Sequence, residues 1–181
     1  MAAVIVDTPD SLKEYVGKEI GVSEWLTITQ ERIAQFAEAT EDRQWIHLDR
    51  ERAERESPFG ATIAHGFLTL SLISQFMKDV IQVRSGVGMA INYGLNRVRF
   101  PAPVRAGSRI RARATLLSVK EVSGAYGVSC GYSPFADDPT VSGDIRVFGT
   151  DHSRSPFAVD GRVASSPLRT LLIISKQAFG P

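Results

Sequence analysis

The sequence predicts an α+β protein in which an antiparallel sheet wraps a long central helix, and three observations carry that expectation. Residues 61–83 are apolar on nearly every side (Ile63, Ala64, Phe67, Leu68, Leu70, Leu72, Ile73, Phe76, Met77, Val80, Ile81), the pattern of a helix enclosed by other structure. From Gly88 the period turns from helical to extended, and residues 90–94 and 97–100 alternate in polarity. After the break at Pro101-Ala102-Pro103 and a turn at Ala106-Gly107, residues 108–122 read as a strand. Arg109, Arg111 and Arg113 lie on one face of it, with Ile110, Ala112 and Ala114 on the other.

The remaining elements follow in chain order. Residues 18–27 alternate weakly and are expected to give a first strand. Thr29 precedes Gln30-Glu31-Arg32, and Ile33, Phe36 and Ala37 then recur at helical spacing, so Thr29 is expected to cap a helix ending near Ala39. Residues 40–60 are rich in charge and contain Pro58 and Gly60. They read as an ordered excursion with one helical turn near residues 51–56, and excursions of that length in compact domains usually serve a function. Beyond Gly127 there is no Glu, and extended candidates occur only at residues 141–148, 158–163 and 168–174. The chain therefore divides into a core of residues 1–128 and a divergent C-terminal segment of residues 129–181.

Composition bounds the class. The 181 residues are 43% hydrophobic and 23% charged, which suits a single globular domain and excludes wholesale disorder. The longest apolar run, residues 63–81, is interrupted by His65, Gln75, Lys78 and Asp79, so no membrane span is expected. Residues 1–10 lack the basic region of a secretory signal, and Cys130 is the single cysteine, so a cytoplasmic protein without internal disulfides is expected. Residues 80–120 hold eight basic side chains (Arg84, Arg97, Arg99, Arg105, Arg109, Arg111, Arg113, Lys120) and no acidic one. An anionic ligand and a solvated arginine face both fit that stretch.

His47 and His65 flank the start of the apolar helix, and Asp42 precedes His47 by five residues on the charged excursion. A carboxylate and an imidazole so placed can address one water molecule, since the carboxylate only accepts hydrogen bonds while a neutral imidazole both donates and accepts. A metal held by Asp42, His47, Asp49 and His65 is the less favoured reading, because no paired-histidine motif is present, and no metal is expected. No phosphate loop or nucleic-acid motif accompanies the arginines, so nucleic acid is not expected as a partner.

The run Asp42-Arg43-Gln44-Trp45-Ile46-His47-Leu48-Asp49, followed by Phe59-Gly60-Ala61-Thr62-Ile63-Ala64-His65-Gly66 and an apolar helix, resembles the hydratase-2 motif of the MaoC-like (R)-specific enoyl-CoA hydratases. The block Asn92 to Ser108, with Arg97-Val98-Arg99-Phe100-Pro101-Ala102-Pro103-Val104, resembles the second strand and turn of the same family. The resemblance covers residues 18–127 and implies the hot-dog fold, usually as a homodimer. It implies addition of water to a trans-2-enoyl-CoA to give the (R)-3-hydroxyacyl-CoA, or the reverse, with no cofactor beyond the coenzyme A thioester that is the substrate. Asp42 and His47 match the catalytic pair. A backbone N–H near Gly66 suits the thioester oxygen as it gains charge, and Ser71, Asp49 and His65 fall in supporting positions. The sequence departs from the family where Gln44 and Trp45 replace Asn and Pro, and Trp45 either narrows the acyl entrance or packs at a subunit contact. Coenzyme A phosphates would account for the arginines. Two other readings stand beside hydration: an acyl-CoA thioesterase, and a non-catalytic partner subunit. The family usually ends in two long strands; either residues 130–150 supply them in divergent form or the tail is foreign to it.

Overall fold

At Thr29 the side-chain oxygen accepts the Arg32 backbone N–H at 3.2 Å and so caps α1 (Gln30–Thr40), a contact worth about 1 kcal/mol. Ile33 and Ala37, one turn apart, are buried by this helix. These elements belong to a computed structural model that describes residues 3–95, 98–100, 102–122, 125–136 and 170–175. Helix α1 stops at Glu41, which adopts the left-handed conformation (φ 60°, ψ 12°) and is the one described non-glycine residue with positive φ. That turn sends the chain back along α1. The excursion that follows is more helical than expected: α2 (Trp45–Leu48) is a single turn and α3 (Arg50–Glu56) begins at Asp49, whose carboxylate caps it by accepting the Arg52 N–H at 2.9 Å.

The central helix is shorter than the expected span of 61–83 and is broken. It consists of α4 (Gly66–Ser71) and α5 (Ile73–Val80), joined at Leu72. Before it, residues 62–64 run extended beside residues 104–106: the Ala64 N–H donates to the Val104 carbonyl (2.7 Å) and the Ala106 N–H to the Thr62 carbonyl (2.9 Å). After it, β4 (Ile81–Val83) pairs in parallel with β1 (Val4–Val6). An apolar run does not by itself separate a buried helix from a buried strand, which is why both ends were over-assigned. A 3-10 helix (Pro9–Tyr15) links β1 to the main sheet and buries Leu12 completely.

That sheet is antiparallel, in the order β2 (Glu19–Val22), β6 (Arg109–Val122), β7 (Ala125–Ala136), β8 (Thr170–Ser175) and β5 (Met89–Leu95), with β3 (Leu26–Thr27) also pairing with β6. The expected first strand thus splits in two at buried Ser23, whose hydroxyl accepts the Ala112 N–H at 2.9 Å. Residues 98–100 are not strand. β7 is a long strand that the sequence did not announce, and β8 overlaps the expected one at 168–174. The candidates at 141–148 and 158–163 lie outside the described residues.

On β6 the alternation holds: Ile110, Ala112, Ala114 and Leu116 are fully or almost fully buried, while Arg109 and Arg113 are exposed. Arg109 and Arg111 lie over the Trp25 ring, 5.3 and 4.3 Å from its centre, and Arg113 approaches Glu19 at 3.5 Å. One core cluster joins Leu12, Ile20, Ile73, Val80, Leu116 and Val128; a second joins Ile28, Ile33, Leu68, Leu72, Phe76 and Val104. α5 contributes to both, with Ile73 and Val80 in the first and Phe76 in the second. Each such side chain contributes about 1.5–3 kcal/mol by leaving water, so the helix is held by the sheet on one side and by α1 on another. This is the hot-dog arrangement of a sheet wrapped on a helix. No helix among the described residues is long and apolar enough to cross a membrane.

Candidate active site

Three side chains that are far apart in sequence converge where the excursion meets the start of α4. Asp42, His47 and His65 each bring one potential ligand atom to within 4.8 Å of the others. His47 and His65 are buried, at 8% and 3% exposure, whereas the Asp42 side chain keeps 43% of its surface open. The carboxylate is therefore the member of the cluster in contact with water.

The hydrogen bonds assign the tautomers, because a carbonyl can only accept. His47 Nδ1 lies 2.7 Å from the Ile63 carbonyl, so Nδ1–H donates and the neutral ring keeps its lone pair on Nε2. His65 Nε2–H donates to the Asp42 carbonyl at 2.9 Å, and its buried Nδ1 has no partner among the described residues. The Asp42 carboxylate stands 4.0 Å from His65 Nε2. The two imidazoles are stacked, with centres 3.7 Å apart, and the Phe36 ring packs at a tilt against His65, with centres 5.1 Å apart. Burial holds the His47 pKa below its ordinary 6.5, with the charge of His65 acting in the same direction; the bond to the Ile63 carbonyl and the Asp42 charge oppose the shift only in part. A ring with Nε2 unprotonated at neutral pH is suited to take a proton.

The local chain explains the placement. α2 carries His47 in its last turn, and its carbonyls are bound from outside: Ile63 N–H donates to Ile46 O at 3.1 Å, and Gln30 Nε2 donates to His47 O at 2.7 Å. The Gln30 amide oxygen in turn accepts the hydroxyl of buried Thr62. Gln44, in the family's Asn position, donates to Asp42 Oδ1 at 3.3 Å. Trp45, in the family's Pro position, is the first residue of α2. That site favours Pro because its N–H has no intrahelical partner, so Trp is tolerated and the turn survives. Its ring is stacked beneath the Arg52 guanidinium at 4.3 Å, within its own chain.

The other expected residues fall as follows. Asp49 caps α3. Gly66 opens α4 under the Phe100 ring, which a Cβ at that position would meet at 2.7 Å. The Ser71 hydroxyl donates to the Leu68 carbonyl one turn back, and Ser71 also lines a cavity of about 340 Å3 between α4–α5 and β5, with Leu70, Ile73, Ser74, Asn92, Tyr93 and Leu95. Asp42 and His47 do not line that cavity. Sequence reasoning missed Gln30, Thr62 and Glu41, and no local signal would have exposed the first two, whose contacts join residues 17 and 32 positions apart. As for a metal, two histidines and a carboxylate are an acceptable donor set, with one potential ligand atom from each within 4.8 Å of the others, and each histidine donates its other ring N–H to a backbone carbonyl.

A sheet-wrapped helix with two imidazoles and a carboxylate gathered at its start defines a hot-dog protein. Residues 11–131 match the family model described as "MaoC like domain", and the chain belongs to the MaoC-like dehydratase family. It is 55% identical over 106 residues to 3-hydroxyacyl-thioester dehydratase Z of Mycobacterium tuberculosis, covering 59% of this chain and 69% of that protein. It is 54% identical over 102 residues to nodulation protein N of Rhizobium leguminosarum, covering 56% of this chain and 63% of that one. The fold is similar to that of the unliganded R-hydratase PhaJ1 of Pseudomonas aeruginosa, with a TM-score of 0.61 at 20% identity over 90% of this chain and 83% of that chain.

Proposed function

We propose that this MaoC-like dehydratase interconverts trans-2-enoyl-CoA and (R)-3-hydroxyacyl-CoA, with Asp42 and His47 as the catalytic pair. The observation that carries the reading is that His47, whose Nε2 keeps its lone pair, and the half-open Asp42 carboxylate each bring a polar atom to within 4.8 Å of the other. In the hydration direction, Nε2 takes one proton of a water while its oxygen bonds to C3. Asp42 accepts the other O–H of that water and so aims it. The C2–C3 π electrons shift toward the thioester carbonyl, whose oxygen gains charge. A backbone N–H at the opening of α4, by Gly66, is suited to receive that charge, because the first N–H groups of a helix have no intrahelical acceptor and lie at its positive end. The protonated imidazole then returns its proton to C2 on the same face, and the net change is one water added. Support for the thioester comes from the dehydratase relative, which is named for that substrate class; support for the (R) product comes from the hydratase-2 motif around Asp42 and His47.

The test is crotonyl-CoA hydration followed at the enoyl absorbance, with chiral analysis of the 3-hydroxybutyryl product. Asp42→Asn and His47→Ala are each expected to lower kcat/KM by at least ~10²-fold, the usual share of a positioned acid or base. Wild-type rates in both variants, or an (S) product, would overturn the assignment. Release of free thiol, which hydration does not produce, would identify a thioesterase instead.

We also propose a homodimer. The outer edge of β5 is unpaired among the described residues, and Ile91, Leu95 and, at the start of α4, Phe67 (69% exposed) present apolar surface there and nearby.

A further inference from the structure

Gln30 lies on α1, outside the loop that carries the acid–base pair, yet its one amide group bridges both chain segments that hold His47. Nε2 donates to the His47 main-chain carbonyl at 2.7 Å, and Oε1 accepts the hydroxyl of Thr62, a residue 3% exposed. His47 O belongs to the last turn of a four-residue helix and has no intrahelical donor, so an outside donor is required to satisfy it. Thr62 adjoins Ile63, whose carbonyl receives His47 Nδ1–H, and the same segment is pinned to residues 104–106 by two backbone bonds. The ring is therefore referenced to the sheet side through Ile63, and the backbone bearing it is referenced to the same segment through Gln30.

We infer that Gln30 is a positioning residue for His47: its amide clamps the His47 backbone to residues 62–63, which keeps the Nδ1–H bond to Ile63 intact and so holds the lone pair on Nε2. Loss of the clamp frees the α2 turn to shift against Ile63, and a ring without its carbonyl acceptor populates both neutral tautomers. A displacement of the order of 1 Å at a reacting group is sufficient to lower turnover substantially.

The inference rests on the His47 reading above, and the experiment separates the two. Gln30→Met keeps the length and shape of the side chain and removes both hydrogen bonds; Thr62→Val removes only the hydroxyl and serves if the first variant does not fold. Each is assayed with crotonyl-CoA beside wild type and His47→Ala, and the neutral tautomer of His47 is read by 15N NMR of the imidazole. The expected result for Gln30→Met is a kcat lower by about 10-fold or more with KM within about twofold, and a His47 signal that changes from Nδ1–H alone to a mixture. The expected result for Thr62→Val is a smaller change of the same sign in both. Unchanged kcat, or lowered kcat with the tautomer signal unchanged, would overturn the inference. If His47→Ala were fully active, the catalytic reading would fall, and the tautomer signal would still decide the clamp.

Discussion

His47 differs from a surface histidine in three ways that follow from its contacts: it is buried, its Nδ1–H is committed to a carbonyl, and a second imidazole lies flat against it. Burial and the second imidazole keep Nε2 in its basic form below pH 6.5, while the bond to the Ile63 carbonyl fixes the tautomer and opposes the shift only in part. Burial comes first, since taking a charged ring out of water is costly, and two stacked imidazoles resist carrying charge together. The acidic limb of the kcat/KM profile is therefore expected below pH 6.5, and a limb at or above that value would show that another group sets it. Stability follows the same sign. With the folded pKa depressed, His47 adds no proton-linked cost above 6.5. As pH falls below 6.5 the unfolded chain binds the proton first, so stability declines until the folded pKa is passed. Asp42 and Gln44 show what a substitution relative to a family pattern can preserve: the longer Gln amide still reaches the carboxylate, at 3.3 Å. At the residue scale, Asp42 and His47 can be paired from the sequence because they lie on one short charged stretch, and α2 brings their polar atoms to within 4.8 Å.

At the scale of elements, the mouth of the site depends on how α4 begins. Gly66 has an ordinary backbone conformation, so glycine is required there for space: the Phe100 ring occupies the position of a Cβ, with three ring atoms at 2.7 to 2.9 Å. Gly66→Ala is expected to push Phe100 away from the helix and loosen its edge-on contact with Phe67, now 5.8 Å between ring centres. The measurement is thermal unfolding of Gly66→Ala, Phe100→Ala and the double variant. A glycine-to-alanine cost of ~1–3 kcal/mol, the usual range for overpacking, should vanish when Phe100 is already alanine. Additive effects would mean that the two positions do not share this space. Thr29 was legible as a helix cap from residue type and offset. The break at Leu72 and the switch to β4 were not, because a run apolar on all sides carries no period from which to read its conformation.

For the whole molecule, the proposed dimer turns on the β5 edge, which is unpaired among the described residues. A mass by light scattering about twice the 19.8 kDa of one chain is expected, and Ile91→Lys with Leu95→Lys is expected to give a monomer, since charge on an edge strand opposes pairing. A wild-type monomer at micromolar concentration would refute the proposed dimer. Inside the sheet the thiol of Cys130 sits fully buried on β7 and burial pushes its pKa up to about 12, which places it with the packing and outside the chemistry.

Periodicity and residue type alone determined that a buried helix and an alternating, arginine-faced strand would build an α+β core, and placed Asp42 and His47 on one short stretch of chain. Those are local properties, decided within a turn or a strand. Only the tertiary structure decided that His65 stacks on His47, that Ile63 selects the tautomer, that Gln30 spans α1 and α2, and that β7 and β8 continue the sheet. Each of those depends on groups brought together across 16 or more residues of chain, or on pairing between strands, and such contacts are selected by the closure of the whole core around α5.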